Sequence, residues 1–419
     1  MPASTAYTID QLFTMSRASK RTVVDGTGNL IEIANNTFGL TYDPVTLKPL
    51  GLLQEFTGLN YIRNPRGEGL TVGQIGSGGV APTNWILQGS ASPNTRHIVG
   101  SGVENGIPYV DVRFTSPGVS SGNALEIVFE TMTGGAPVVV GDTVTVSAYI
   151  SLQSGTIPTG TNLMALSISE NDSTGLYLGM RQGYIETPPT GPLIRNRIER
   201  TQTMVAPTVA FARPLIRIHP GSGDAFDFVL RVGIPQLEKN FVASSPIMPN
   251  VGAPAAATRL YDSVLLDLTK SGFANMGSTI IWRGIMDRPL SVGGGVGGRG
   301  LFRFDDGTNN NYVNCSMNTG NAMTLRWCVD GVFSAVTLGN VVFGQEFRVA
   351  VTFGPNFIAG CMNNNNPVIG NIVGYPVGLN VGRLGADGNW GNNTLYGTTA
   401  QFDIIPRTVA TAELATISA

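Results

Sequence analysis

Apolar and polar residues alternate with a period of two through most of the chain. In YVDVRF (109–114), Val110, Val112 and Phe114 share one face, and Tyr109, Asp111 and Arg113 share the other. ALEIVFETM (124–132) alternates likewise, and VVVGDTVTVSAYISL (138–152) reads as strand segments around Gly141-Asp142. LMALSISE (163–170), LIRIHP (215–220) and AFDFVLRVGIPQLE (225–238) continue the series. Alternation repeated over many turn-bounded segments predicts a two-sheet antiparallel sandwich across residues 61–250. Further strands are predicted in STIIWRGIM (278–286), LFRF (301–304), TLRWCVDGVFSAVTL (324–338), FRVAVTF (347–353), FIAGCM (357–362) and LYGTTAQFDIIP (395–406). Asp306-Gly307 and Asp330-Gly331 are hairpin-turn dipeptides, so residues 258–419 form a second all-β unit. RTVATAELATIS, at the end, has helical spacing for one or two turns only.

The remaining segments are connections. Residues 1–60 hold a hairpin signal at Asp25-Gly26 and an apolar stretch, LGLLQEF, from Leu50. This zone is too small for its own core and reads as an attachment segment that packs on a neighbour. SSPIMPNVGAPAAA (244–257) carries three prolines and no strand pattern, and its end, residues 251–257, reads as a linker.

Composition supports this reading. Gly (54) and Pro (25) make up about 19% of 419 residues, against a typical ~12%, which suits many strands joined by turns. The net charge of −2, with charged residues at 13%, excludes binding of nucleic acid through a basic surface. A hydrophobic content of 42% excludes a disordered chain. No apolar run approaches the ~18 residues of a membrane span, so no membrane insertion is expected. The N-terminus lacks the pattern of a signal peptide, so synthesis in the cytoplasm is expected. Cys315, Cys328 and Cys361 form no CxxC pair and read as free thiols.

Three stretches resemble known families. FTMSRASKRTVVDGTGNL (13–30) with TYDPVTLKPLGLLQE (41–55) resembles the opening of bacteriophage minor structural proteins. NPRGEG (64–69), PTNW (82–85) and IVGSGVENGIPYVDVRF (98–114), closed by FVLRVGIPQLEKNFVASSPIMP (228–249), resemble a carbohydrate-binding-module-like jelly roll of phage fibres. ATRLYDSV (257–264) resembles the junction that follows it. WCVDGVFSAV (327–336), FRVAVTF (347–353), LNVGRLG (379–385) and LYGTTAQFDIIPRTVATAELATI (395–417) resemble a concanavalin A/laminin-G-like sandwich. The resemblance implies a virion component, a fibre, spike or decoration subunit made in the host bacterial cytoplasm. Residues 1–60 would attach to other virion proteins, 61–250 would be the jelly roll, and 258–419 the second sandwich. Such a subunit is expected to form a homo-oligomer, a trimer or a pentamer.

Candidate chemistry follows from side chains in polar loops. Sugar recognition stacks an aromatic ring on the apolar face of a pyranose and aims polar groups at its hydroxyls. Trp390, flanked by Asp387 and Asn389, with Tyr396 nearby, fits that pattern, as do Tyr177, Arg181 and Tyr184. Trp85, Trp282 and Trp327 read as core. Asp305 and Asp306, near Asn309 to Asn311, could hold calcium or could simply build turns. Gly293, Gly295 and Gly298 match GxGxxG but precede a strand, so a loop is expected there and not a phosphate site. Glu170 and Asp172 begin an ExD string with no second Glu, too little for a glycosidase pair. The expectation is a non-enzymatic protein that adheres to host-surface glycan. Purely structural reinforcement is the alternative, and a polysaccharide depolymerase a lesser one.

Overall fold

The computed structural model describes residues 8–89, 94–118, 124–157, 164–185, 188–219, 223–275, 277–287, 299–318, 320–355, 357–371, 374–388 and 394–419. It is an all-β protein of two antiparallel sandwiches, as the alternation predicts. In the first sandwich one sheet runs in the order Arg197–Thr203, Thr143–Thr156, Ala225–Glu238, Ile107–Pro117, Thr95–Glu104, Gly73–Ile75, Gly78–Gly79. The facing sheet runs Tyr177–Ile185, Met164–Asn171, Phe211–Ile218, Leu125–Val128, Ile86–Gly89, with Ala136–Pro137 also paired to Phe211–Ile218. Val110, Val112 and Phe114 sink into the core between them, where Trp85 meets Phe129 edge to face.

In the second sandwich the strands come from both ends of the chain. One seven-stranded sheet runs Phe13–Ser16, Ser263–Leu266, Val381–Leu384, Arg299–Asp305, Tyr312–Met317, Ala322–Val329, Val332–Asn340. The other runs Val368–Gly370, Phe357–Met362, Glu346–Gly354, Ser278–Met286, Gly397–Ile405, Pro49–Gln54, Leu40–Tyr42. Trp282 and Trp327 are buried between the two sheets, as expected of core. The helix Thr411–Ile417 closes one outer face through Leu414. All three cysteines are buried and free. No helix among the described residues is long and apolar enough to cross a membrane.

The strands Phe13–Ser16, Leu40–Tyr42 and Pro49–Gln54 are therefore sheet members of the second sandwich, so the sheets do not divide at residue 60. Met15 and Leu52 insert into its core. Gly51 is required where the strand Pro49–Gln54 passes the strand Gly397–Ile405. Its φ is +108°, and a Cβ there would lie 2.2 Å from the Thr399 carbonyl oxygen. The hairpin of Arg21–Val24 and Leu30–Ile33 turns at Asp25, as the Asp-Gly signal suggests, and places Leu30 against Ile107 and Tyr149 of the first sandwich. The bridge after residue 243 is only partly linker-like. Ile247 is buried and donates its N–H to Gln236, and Pro246 accepts from Thr22, whereas 250–253 are exposed. Ala257–Arg259 then pairs with Gly58–Asn60.

A buried ion network sits where these segments converge. Asp262 accepts from Arg17 at 2.9 Å and from Arg21 at 2.7 Å. Glu55 accepts from Arg21 at 2.5 Å, from Arg259 at 3.0 Å, and from the N–H and hydroxyl of Ser245. All five charged side chains are at most 3% exposed. Burial pushes the Glu55 carboxyl up, but Arg259 and Arg21 outweigh it and hold the group at about 2.

Glu55→Gln is expected to destabilise the fold by about 3–5 kcal/mol, because buried Arg259 loses its carboxylate partner and buried Arg21 one of its two. Chemical denaturation at pH 7 measures this. Depression of the Glu55 carboxyl from 4.5 to about 2 is worth about 3 kcal/mol, present above pH 4.5 and lost as pH falls towards 2. The Gln variant should lack that acid limb. Asp287, raised to about 6 by burial and by the Glu55 charge, titrates in a separate window. A fragment starting at Thr258 lacks the strands Phe13–Ser16, Leu40–Tyr42 and Pro49–Gln54. It is expected to be unfolded or aggregated, read by circular dichroism and light scattering, whereas the full chain is not.

Candidate functional site

A cleft of about 660 Å³ opens on the outer face of the first sandwich, over the sheet that contains Phe211–Ile218. Strand alternation builds it. Leu125, Ile127, Leu166, Ile168, Ala212, Ile216 and Ile218 point into the core. Their alternate neighbours therefore project the other way. Val128, Leu215, Ser169, Asn171 and Arg213 form a floor that is itself buried. Gln88, Glu126 and Arg217 stand side by side across three strands, since Glu126 is opposite both Arg217 and Gln88 in the ladders.

The rim is apolar and open to solvent. Met132, Leu176 and Tyr177 are 53%, 62% and 55% exposed. The loop carrying Leu176 is held by Asp172, whose Oδ1 accepts from Thr174 N, Thr174 Oγ1 and Leu176 N. Asn171 donates to the Gly175 carbonyl at 3.0 Å. A Cβ at Gly175, where φ is +90°, would lie 3.0 Å from Met132, so glycine lets the two rim loops meet.

Below the rim the polar groups are unevenly satisfied. Gln88 donates to Glu126 at 2.5 Å, and Arg217 Nε lies 3.5 Å from Glu126 Oε1. Arg213 donates from Nε to the Glu130 carbonyl at 2.8 Å. Its Nη2 is buried without a partner among the described residues. The Glu130 carboxylate is bound by Arg63, at 2.7 Å from Nη2 and 2.7 Å from the backbone N–H. Burial lowers the pKa of the Arg213 guanidinium, against the opposing charges of Glu126 and Glu130.

The residues singled out from sequence fall in different places. Tyr177 is at the rim of the cleft. Tyr184 and Arg181 lie on the same strand, opposite Ala165 and Ile168, and their side chains lie outside the described residues. Tyr184 thereby shares a ladder row with Arg217, Glu126 and Gln88. Asn389 and Trp390 lie outside the described residues, as does the loop with Gly293, Gly295 and Gly298.

Tyr396 is not at a surface. It is 6% exposed, lies against Phe56, and donates its hydroxyl to the Ala243 carbonyl at 2.6 Å, tying the two sandwiches together. Asp387 is engaged by Asn314 and by Arg326 at 3.5 Å, residues that alternate with the core-facing Val313, Cys315, Leu325 and Trp327. Asp305 is bound by Arg303 at 2.8 Å and Arg383 at 3.2 Å, so guanidinium groups occupy the oxygens a calcium ion needs. Asp306 caps its own turn through Thr308 and Asn311. No group of three or more His, Cys, Asp or Glu suited to a metal occurs among the described residues. Glu170 is buried and accepts from the N–H groups of Val205 and Ala206, while Asp172 shapes the rim, so the two are not aimed at one bond.

Sequence reasoning missed Gln88, Glu126, Arg213 and Arg217. The available signal was a lone charge between apolar neighbours, as in LEI and IRI. Only strand register brings those charges together.

No family model matches this chain, and no curated protein matches it. Solved structures similar to parts of it include the CBM40 of Ruminococcus gnavus IT-sialidase bound to α2,6-sialyllactose. It is 11% identical, with a TM-score of 0.29, over 37% of this chain and 92% of that one. Domains LG4-5 of mouse laminin α1 are 11% identical, with a TM-score of 0.27, over 72% and 92%. The CBM22-1-CBM22-2 tandem of Paenibacillus barcinonensis Xyn10C is 9% identical, with a TM-score of 0.22, over 81% and 98%. Likeness at this level says nothing of what the chain binds.

Arg213→Met is expected to cost less than about 1 kcal/mol of stability, because the buried guanidinium makes one described bond and leaves a donor unsatisfied. Arg21→Met is expected to cost about 3–5 kcal/mol. Urea denaturation of both variants at pH 7 tests the contrast.

Proposed function

We propose that this chain is a non-enzymatic saccharide-binding protein and that the cleft on the first sandwich holds the sugar. The observation that carries the reading is the pairing of an exposed aromatic, Tyr177, at the rim with polar groups on the floor, among them a donor of Arg213 left unpaired. A pyranose ring needs both an apolar platform and directional polar partners. The cleft volume suits a sugar of one or two units, since ligand pockets run to roughly 300–1,000 Å³. A binding role without hydrolysis is supported by the cleft lining, which among the described residues holds one carboxylate, Glu126, where a glycosidase needs two.

The setting we assign is a bacteriophage virion, where many copies would raise weak single-site affinity. That assignment is supported by the order of the sequence motifs at 13–30, 41–55 and 257–264. Host-surface glycan is then the ligand, and the partners are other virion proteins and further copies of the chain.

A glycan array probed with the full-length protein, displayed multivalently, is expected to give discrete positive spots. Tyr177→Ala should weaken binding to them about tenfold with unchanged thermal stability, because the ring is more than half exposed. Incubation with the bound glycan should release no reducing ends. Absence of any positive spot overturns the reading.

A further inference from the structure

From the charge balance of the cleft we infer that its sugar carries a carboxylate, and that Arg213 receives it. This rests on the saccharide reading above and names the ligand class within it.

Arg213 is 6% exposed and, like the buried Arg21, Arg259 and Arg299, leaves a guanidinium donor without a partner among the described residues; unlike those three, it lines the cleft. A buried charge is costly unless it is paired and hydrogen-bonded. Here the nearby carboxylates are already committed. Glu130 is bound by Arg63 through the backbone N–H, Nε and Nη2. Glu126 is bound by Gln88 and faces Arg217. Among the described residues, the charged groups lining the cleft are Arg213, Arg217 and Glu126, a surplus of one positive charge. Nε of Arg213 is fixed to the Glu130 carbonyl, which locks the plane of the group, and its buried Nη2 has no partner among the described residues. The guanidinium is thus oriented before any ligand arrives.

The surroundings favour an anion over a neutral hydroxyl. Val128 and Leu215, both buried, flank Arg213 on the floor, so a charge there is poorly screened and pairs strongly with an opposite one. A planar guanidinium matches a planar carboxylate in geometry and charge, and such charge-assisted bonds are about twice as strong as neutral ones. The apolar rim of Met132, Leu176 and Tyr177 then receives the ring of the same sugar. A carboxylated pyranose satisfies both levels at once, acid group down and ring face up.

The test uses the full chain on an array of neutral, carboxylated and sulfated oligosaccharides. Carboxylated glycans should dominate the bound set. For the strongest of them, calorimetry is expected to show that methyl esterification of the sugar acid weakens binding about 100-fold. Arg213→Gln should cause a similar loss on the free acid and make esterification nearly without effect. Arg213→Lys should restore part of the affinity. Esterification alone probes the same contact if the Gln variant does not fold. Binding of neutral or sulfated glycans that is lost in Tyr177→Ala overturns the carboxylate assignment and leaves the saccharide reading standing. Indifference to esterification does the same. An array with no bound glycan overturns both.

Discussion

The fold turns on five buried charges that belong to three distant parts of the chain. Arg17 and Arg21 come from the N-terminal segment, Glu55 from the end of the strand that segment adds, and Arg259 and Asp262 from the start of the second sandwich. None of these side chains can be left alone in an apolar interior, so each demands the others. That requirement sets where the chain's two ends meet and so determines which strands close the second sandwich. It also pins the first sandwich, because Ser245, which follows its closing strand Ala225–Glu238, bonds to Glu55. The segments 13–30, 41–55 and 257–264 supply all five charges.

The same residue type does opposite work elsewhere. At the junction, Arg21 donates from Nη1 and Nη2 to Asp262, Glu55 and the Leu53 carbonyl, which fixes three segments together. In the cleft, Arg213 has one described partner and a buried donor left unpaired, which is why we propose it as a ligand position. The difference lies in the carboxylates: Arg21 is ion-paired with Glu55 and Asp262, whereas Arg213 donates only to a backbone carbonyl among the described residues. Rigid strands make the second arrangement possible, since Arg213 and Arg217 project from the strand Phe211–Ile218 at the middle of a sheet and not from a loop.

Much of the architecture was legible along the chain. Val110, Val112 and Phe114 announce their buried face by period alone, and Asp25-Gly26 and Asp330-Gly331 announce their turns. Trp282 and Trp327 lie within strand runs and are core for that reason. Local patterning works here because a strand's two faces are set by its own backbone. The site was less legible. Tyr177 was visible as an aromatic in a polar stretch, but Tyr396, equally polar in its neighbours, is buried under Phe56 and bonded to Ala243. Asp387 and Asp305 looked like free loop acids and are instead partners of arginines, Arg326 for Asp387, and for Asp305 Arg303 of its own strand and Arg383 of the next.

What the amino-acid order determined by itself is the all-β class, the turns and the buried face of each strand, because these depend on neighbours two residues away. What tertiary structure alone decided is which strands pair. Glu126 finds Arg217 and Gln88 across ladders that join residues about 90 and about 40 positions apart. Arg17 finds Asp262 across 245 positions. Register and strand exchange are chosen by the whole core at once, through the cost of leaving any buried charge or apolar face without its complement, and no local pattern carries that information.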